Sequence, residues 1–252
     1  MAPSVVPFET NVMTHNGWVP ASPHRAISID EIHSIVRNYR HAAERALKAG
    51  LDGIEIHSAN GYLLDTFLQD GTNRRTDEYG GSLENRTRFL REVVTEVVDV
   101  FGKGKVGVRF SPSGQWGSIS DSNPTATFSY AAELLNQFDL AYLHVIEPRV
   151  KGTDTLDENQ TPVAAKFLRQ IFNGPIIAAG GFNAQGAEEI LTKGDADLVA
   201  FGRHFTSNPD LPTRLKNGWP LTPYERDAFW GGTHFHYTDF RGYLESNEKQ
   251  EA

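Results

Sequence analysis

The chain alternates between segments with a helical period of apolar residues and short runs that are apolar throughout. The first helical segment spans Ile29 to Leu47, where apolar residues stand three or four positions apart. Ser28 and Glu31 have the spacing of a capping box at its start. Gly50 follows at the position where a glycine commonly ends a helix. These signals predict one amphipathic helix between Ser28 and Gly50.

Five short apolar runs follow, and helical segments separate them. The predicted strands are Gly53–Ile56, Lys105–Phe110, Ala141–Val145, Pro175–Ala178 and Asp197–Phe201. The predicted helices are Leu83–Phe101, ending at Gly102, then Pro124–Gln137, one opened by Thr161-Pro162, Gln185–Lys193, and one opened by Asn208-Pro209. A regular alternation of strands and helices predicts parallel strand pairing and an α/β fold.

The two ends of the chain fit this alternation less well. Residues 1–27 contain several prolines and little periodicity, which predicts an irregular lead-in. The tail after Pro223 predicts one further short helix and an aromatic cluster. We therefore expect a single domain over residues 28–240, preceded by the lead-in and followed by a tail at 241–252.

Two architectures use such an alternation, an open doubly wound sheet and a (β/α)8 TIM barrel. His57, Arg109, Gly180-Gly181 and Gly202-Arg203 all stand at or just past the carboxyl ends of predicted strands. In a barrel these ends meet at one mouth, and glycines after the last two strands commonly hold a phosphate. A dinucleotide-binding sheet would show G-x-G-x-x-G after its first strand. Because that pattern is absent here, the sequence favours the barrel.

Composition narrows the classes of partner. The net charge of −8 disfavours nucleic acid and anionic membranes as partners, and the lack of cysteine excludes disulfides, thiolate metal sites and a cysteine nucleophile. No run approaches the ~20 apolar residues of a membrane span, and residues 1–11 lack the features of a signal peptide. We therefore expect a soluble, cytoplasmic protein. His204, His234 and His236 lack metal-ligand spacing, so no metal is assigned.

One strand-end segment concentrates groups suited to catalysis. His57, Asn60 and Tyr62 stand within six residues. The His and Asn side chains could both donate hydrogen bonds to one carbonyl oxygen, which stabilises negative charge that develops there. The Tyr hydroxyl could give a proton to a neighbouring carbon. Each residue alone also has an ordinary structural role, in a core, a turn or packing, so the argument depends on the set.

The segment from Ile56 to Ser82, IHSANGYLLDTFLQDGTNRRTDEYGGS, closely resembles the Old Yellow Enzyme family. The resemblance continues in order through VGVRFSP, AYLHVIEPR, GPIIAAGGF and FGRHFTSNPDLPTRL, and it extends from about Pro23 to Phe240. It implies a TIM barrel that binds FMN, takes hydride from NAD(P)H and reduces the C=C bond of an enone, an α,β-unsaturated carbonyl compound.

The resemblance also implies roles for single residues around the substrate and the flavin ring. His57 and Asn60 match the pair that binds the substrate carbonyl oxygen, and Tyr62 matches the proton donor. Arg109 matches an arginine beside the flavin N1–C2 edge, where positive charge favours the anionic reduced flavin. By itself, Arg109 could equally form an ion pair in the core.

A second set of matches concerns the flavin phosphate and an aromatic pair. Gly181, Gly202 and Arg203 match the phosphate-binding residues, and Gly180 supplies the turn before them. Phe229 and Trp230 match aromatic residues near flavin and substrate, although the family often has Tyr at the second position. Taken alone, the glycines would indicate a turn and the aromatic residues a core.

The sequence departs from the family in the number of its repeating units. Family members have eight βα units, whereas this chain has five, which match units four to eight. A barrel with five strands leaves two unpaired edges. Three explanations remain open: a fragment with weak or no flavin binding, a barrel closed with another copy in a homo-oligomer or with a partner chain, or a separate polypeptide that supplies the other units.

Three hypotheses for function follow. The first is the FMN-dependent ene-reductase. The second is a non-catalytic fragment or assembly subunit that needs a partner chain. The third is a different barrel that binds a phosphorylated ligand at Gly181, Gly202 and Arg203, with no special role for His57. Among the other charged residues, we expect Glu55 to pair with a buried base, and a salt-linked loop to contain Arg74, Arg75, Asp77 and Glu78.

Overall fold

The computed structural model describes residues 1–7, 11–15, 17–114, 119–148, 150–151, 154–155, 164–226, 229 and 234–247. The strands are β1 Asn11–Thr14, β2 Gly17–Pro20, β3 Ile54–Ser58, β4 Val106–Phe110, β5 Tyr142–Ile146, β6 Val150–Lys151, β7 Asp154–Thr155, β8 Ile176–Ala179 and β9 Leu198–Ala200. The helices are α1 Ile29–Lys48, α2 Leu63–Leu68, α3 Leu83–Phe101, α4 Pro124–Leu135, α5 Ala165–Leu168, α6 Ala184–Thr192, α7 Leu211–Asn217 and α8 Tyr243–Asn247. Among the described residues, no helix combines the length and apolar character that a membrane crossing requires.

The central feature is a five-stranded parallel sheet in the order β3-β4-β5-β8-β9. The spatial order of the strands is their order along the chain. A doubly wound sheet would reverse direction at a switch point, whereas a barrel adds each new strand beside the last one. The predicted α/β barrel architecture is therefore confirmed for these five units. Each strand begins one residue later than the sequence predicted.

Helices α1 and α3 pack together over the outer face of the sheet. The predicted capping box of α1 is present, with the Ser28 and Glu31 side chains each bonded to the other residue's backbone. Gly50 ends the helix with φ of 85°. The Arg40 guanidinium bridges to Glu96 and Asp99 of α3 at 2.7 and 2.6 Å. Because all three side chains are partly exposed, apolar packing contributes more to this contact than the ion pairs do.

The inner face of the sheet carries the polar side chains. Residues paired in register on parallel strands point to the same side, and one such row crosses the whole sheet: His57, Arg109, His144, Ile177 and Leu198. At the end of this row Leu198 is 56% exposed. The alternate residues Ile56 and Ser58 of β3, by contrast, are buried.

The lead-in is more ordered than the sequence predicted. Strands β1 and β2 form an antiparallel hairpin, and Ala2 bridges to Ala26. The start of the chain is also fixed to the domain, because Arg75 Nη1 donates to the carbonyls of Pro3 and Ile27 at 3.0 and 2.6 Å. The same guanidinium pairs with Asp77, which confirms a salt-linked loop at this position.

The predicted start of the helix after β9 is wrong by two residues. It was placed at Asn208-Pro209, but α7 begins at Leu211 after Asp210. The Asn208 side chain has a different use: its amide nitrogen donates to the carbonyls of His204 and Thr222, and its oxygen accepts from Thr222 N at 2.8 Å. The Asn208 side chain therefore bonds the distant Thr222 backbone instead of capping a helix that starts beside it.

Other helix ends differ less. The helix predicted to Gln137 ends at Leu135 and continues as a 3₁₀ turn over Asn136–Phe138. The predicted start at Thr161-Pro162 lies outside the described residues, and α5 begins at Ala165. The short helix predicted in the tail is α8.

Candidate active site

The turn after β3 carries the three candidate catalytic residues. His57 is the penultimate residue of β3, and Tyr62 is the N-cap of α2, a short helix in a segment that the sequence indicated only as a loop. Between them Asn60 has a left-handed backbone conformation with φ of 56°. Asn is among the few non-glycine residues that adopt this conformation readily. The strand therefore turns into the helix within four residues, 59–62.

His57 and Tyr62 are in direct contact. Their rings meet edge to face with centroids 5.1 Å apart, and Tyr62 is 62% exposed. Burial and the charge of Arg109 lower the pKa of His57, although Glu55 acts in the opposite direction. His57 is therefore neutral at pH 7, with one ring N–H available as a donor.

Arg109 lies between two histidines of the inner face. It pairs in register with His57 on one side and His144 on the other. Burial lowers the pKa of Arg109 and the carboxylate of Glu55 opposes that shift. Among the described residues, no hydrogen-bond partner faces the buried Arg109 Nε. A buried donor without a protein partner is expected where a ligand binds.

Glu55 forms the pair that the sequence predicted. Its Oε2 lies 2.9 Å from Nδ1 of the buried His144. Burial raises the pKa of Glu55, but the hydrogen bond and charge of His144, together with Arg109, outweigh burial and hold the pKa below its ordinary value. The carboxylate is therefore ionised at neutral pH and places a negative charge next to Arg109.

A cavity of about 390 Å³ opens at the carboxyl ends of the strands. Six of the predicted site residues line it: Asn60, Arg109, Gly180, Gly181, Gly202 and Arg203. They come from the ends of four strands, β3, β4, β8 and β9. The barrel geometry thus brings together residues up to 143 positions apart in the sequence, the separation between Asn60 and Arg203.

The glycines on one side of this cavity leave the backbone accessible. Gly180 and Gly181 both have positive φ, of 109° and 66°. At Gly202 a Cβ atom would meet nothing within 4 Å, so the space above this backbone is open. Arg203 follows at once, and α6 begins after the Asn183 cap. Exposed backbone amides, a guanidinium and a helix N-terminus suit a phosphate group.

The aromatic residues near the cavity include two that the sequence analysis did not select. Phe229 is not among the cavity-lining residues; its ring packs 5.7 Å from that of Tyr224, which does line the cavity. Tyr224 also contacts the ring of His204 at 5.4 Å, and His204 lines the cavity as well. Apart from their closeness along the chain to predicted residues, no sequence pattern pointed to Tyr224 or His204 as part of the site. Trp230 lies outside the described residues.

Two sequence comparisons show what the chain resembles. The sequence profile of the NADH:flavin oxidoreductase / NADH oxidase family matches residues 3–222. The 12-oxophytodienoate reductase 2 of Arabidopsis thaliana is 44% identical over 209 residues, which cover 83% of this chain and 55% of that protein. The chain therefore spans little more than half of the length of this relative.

Solved structures agree with the sequence matches. Morphinone reductase in complex with tetrahydroNAD superposes with a TM-score of 0.86 at 42% identity, covering 96% of this chain and 66% of that one. The Old Yellow Enzyme homologue from Zymomonas mobilis superposes with a TM-score of 0.90 at 39% identity, covering 95% and 67%. The five units described above are thus similar, in sequence and in structure, to part of longer barrels.

Proposed function

The chain belongs to the NADH:flavin oxidoreductase / NADH oxidase family, and on that premise we propose that it binds FMN and reduces the C=C bond of α,β-unsaturated carbonyl compounds with NAD(P)H as hydride donor. The observation that carries this proposal is the cavity in which Asn60 and Arg109 face the same space as Gly181, Gly202 and Arg203. A site for electrophile activation and a site for phosphate thus share one mouth.

The residues present fit FMN on chemical grounds. Gly181, Gly202 and Arg203 would hold its phosphate, with Gly180 forming the turn that precedes them. Arg109, whose buried Nε has no partner among the described residues, would bind the pyrimidine edge of the flavin. Phe229 would support the site through Tyr224. When bound, FMN supplies the capacity to accept hydride from NAD(P)H and pass it to a carbon atom.

The side chains of the β3–α2 turn would act on the substrate. Neutral His57 and the Asn60 amide donate hydrogen bonds to the carbonyl oxygen, and these bonds strengthen as negative charge develops there. Tyr62, which is exposed and in contact with His57, donates its hydroxyl proton to the α-carbon. Trp230 is proposed as a further substrate contact from the resemblance alone.

Spectroscopy of the purified chain tests this function. We expect added FMN to bind, a phenol then to produce a long-wavelength charge-transfer band, and NADPH oxidation to depend on added enone. The variant Arg203→Leu should weaken FMN binding, whereas Arg37→Leu, on the exposed face of α1, should not. Tight FMN binding with no enone-dependent oxidation of NADPH would contradict the ene-reductase proposal.

A subunit that is completed by another chain is the second candidate. Among the described residues, β3 and β9 each have one neighbour in the sheet, and Leu198 on β9 is exposed at the inner face. A second copy or a partner chain would pair these edges. Sedimentation of the chain with and without FMN tests this candidate, since a monomer that binds FMN contradicts it.

A cytoplasmic location stays a prediction from the sequence.

A further inference from the structure

A buried carboxylate lies behind the turn that carries the candidate catalytic residues. Asp65 is the third residue of α2 and is fully buried. Its Oδ2 accepts a hydrogen bond from the backbone N–H of Gly61 at 2.9 Å, and its Oδ1 accepts one from Gln69 Nε2 at 2.9 Å. The side chain thus reaches backward from the helix to the turn that precedes it.

A hydroxyl group extends this connection to the next residue of the turn. The N–H of Asn60 donates to Ser111 Oγ at 2.7 Å, and Ser111 Oγ in turn donates to Asp65 Oδ2 at 3.3 Å. Ser111 directly follows β4, two residues after Arg109. One carboxylate is therefore connected to two consecutive backbone amides: it accepts from Gly61 directly, and Ser111 connects it to Asn60. These hydrogen bonds link the ends of β3 and β4.

These two amides belong to the two residues of the turn that have a left-handed backbone conformation. Asn60 and Gly61 both have positive φ, of 56° and 73°. The hydrogen bonds of their N–H groups therefore help to fix the path of the turn. The Asn60 side chain lines the cavity, and Tyr62 follows one residue after Gly61. A shift of this turn would therefore move the proposed carbonyl donor and the proposed proton donor together.

We propose that Asp65 is a positioning residue, which anchors the N–H groups of Asn60 and Gly61 and so holds Asn60 and Tyr62 in the geometry that substrate reduction requires. The assignment of a substrate role to this turn rests on the proposed function. Asp65 itself is not among the residues that line the cavity, and it acts through the backbone.

Burial of this group has a measurable consequence that supports the assignment. Burial raises the pKa of Asp65 to about 6, even though three hydrogen bonds favour its ionised form. An apolar side chain here would avoid that desolvation, but it would leave the Gly61 N–H, the Ser111 hydroxyl and the Gln69 amide without this acceptor. The carboxyl group therefore accepts the hydrogen bonds of the turn, although its own burial is unfavourable.

Amide hydrogen exchange, followed by NMR in the flavin-free chain, tests the anchor. In Asp65→Ala we expect the exchange rates of the Asn60 and Gly61 amides to rise about tenfold or more, while those of α3 stay unchanged. Asp65→Asn should restore slow exchange, because its amide oxygen can accept from Gly61 and Ser111 while Gln69 turns its carbonyl toward the new NH₂ group. Unchanged exchange in Asp65→Ala would overturn the proposal.

Two further variants separate anchoring from general stability. Asp70→Ala is the matched control, because this carboxylate bonds Ser122 in the same loop region and touches neither amide. It should leave exchange at Asn60 and Gly61 unchanged. If Asp65→Ala does not fold, Ser111→Ala removes the relay alone, and only the Asn60 amide should then exchange faster. Equal acceleration by Asp70→Ala would overturn the proposal.

Ligand binding then distinguishes a positioning role from a structural one. In the FMN-loaded chain, Asp65→Ala should weaken phenol binding about tenfold or more and leave FMN affinity unchanged, because Gly181, Gly202 and Arg203 lie on other strands. Faster amide exchange with unaltered phenol binding would overturn the positioning role. A wild-type chain that takes up no FMN would contradict the proposed function instead, and exchange at the two amides would still decide whether Asp65 anchors the turn.

Discussion

Glu55 on β3 bonds to His144 on β5 across the strand that lies between them, with 2.9 Å from Oε2 to Nδ1. Between them, the register partner of Glu55 on β4 is Gly107, which has no side chain. The ring of Tyr142, the next partner in the row, occupies the space over Gly107. This glycine thus leaves room for the Tyr142 ring, whose hydroxyl reaches Glu55 beside the Glu55–His144 hydrogen bond.

Substitution of Gly107 by Ala should destabilise the sheet. The added Cβ would lie 2.3 Å from the Tyr142 ring, so the ring or the strand must move. We expect the free energy of unfolding to fall by about 1–3 kcal/mol, the usual effect of overpacking a core. Urea denaturation measures it. Gly202→Ala, where the space is open, is the control and should change stability by no more than about 0.5 kcal/mol. Equal losses in both variants would contradict this explanation.

The stability of the chain should depend on pH through Asp65. Because its pKa in the folded chain is about 6, above the ordinary 3.8, the folded state binds more protons than the unfolded state between about pH 4 and pH 6. Stability contributed by the protonated group is therefore lost as pH rises through this window. Asp65→Asn lacks this loss, so from pH 4 to pH 7 its unfolding free energy should gain about 2 kcal/mol relative to wild type. Urea titrations of both proteins at pH 4 and pH 7 measure the difference in unfolding free energy between Asp65→Asn and wild type. The same difference at both pH values would contradict the prediction.

The buried ion pair between Arg86 and Asp121 should respond strongly to the loss of one partner. Its atoms are 2.8 Å apart, and the side chains are 7% and 0% exposed. Asp121→Ala leaves a buried guanidinium without its carboxylate, so we expect a loss of about 3–5 kcal/mol in unfolding free energy by chemical denaturation.

An exposed pair provides the comparison for Asp121. Glu44→Ala breaks the partly exposed pair with Arg40 and should lower the unfolding free energy by less than about 1 kcal/mol. If the two variants lose similar amounts, the pair at Asp121 is not the buried contact described here.

The proposed function predicts that Tyr62→Phe separates the two half-reactions. Reduction of bound flavin by NADPH should proceed as in wild type, whereas the reaction of reduced flavin with an enone should slow by about 10²–10⁴-fold, because the proton donor is gone. Stopped-flow absorbance resolves the two steps. Tyr130→Phe, on α4, is the control. An undiminished enone step in Tyr62→Phe would remove Tyr62 from the proposed role.

Much of the fold could be predicted because local signals agree with the final packing. The five inner strands are apolar runs, and the capping box at Ser28 and the glycines at 50 and 102 end or begin helices as predicted. The helix at Asn208 was misplaced for a physical reason. Its side-chain donors and acceptor bond with Thr222, fourteen residues away, and a local pattern contains no information about such a contact.

The candidate site was predictable only in part for a similar reason. Residues at strand ends could be assigned to one mouth, and six of them do line the cavity. The importance of Asp65 could not be predicted, because a single Asp in a helical pattern normally faces water. The turn at Asn60 and Gly61 brings the Gly61 N–H to its Oδ2, and Ser111 connects it to the Asn60 N–H. Likewise Tyr224 reaches the cavity through tertiary contacts that sequence spacing does not show.

The positive φ angles of Gly180 and Gly181 affect how variant libraries of this chain should be read. At both positions a side chain strains the backbone whether or not a ligand is present. At Gly202 the angle is ordinary and the space is open. In a saturation screen, depletion at codons 180 and 181 would therefore mix folding defects with binding defects. Depletion at codon 202, in contrast, would report selection for the ligand itself.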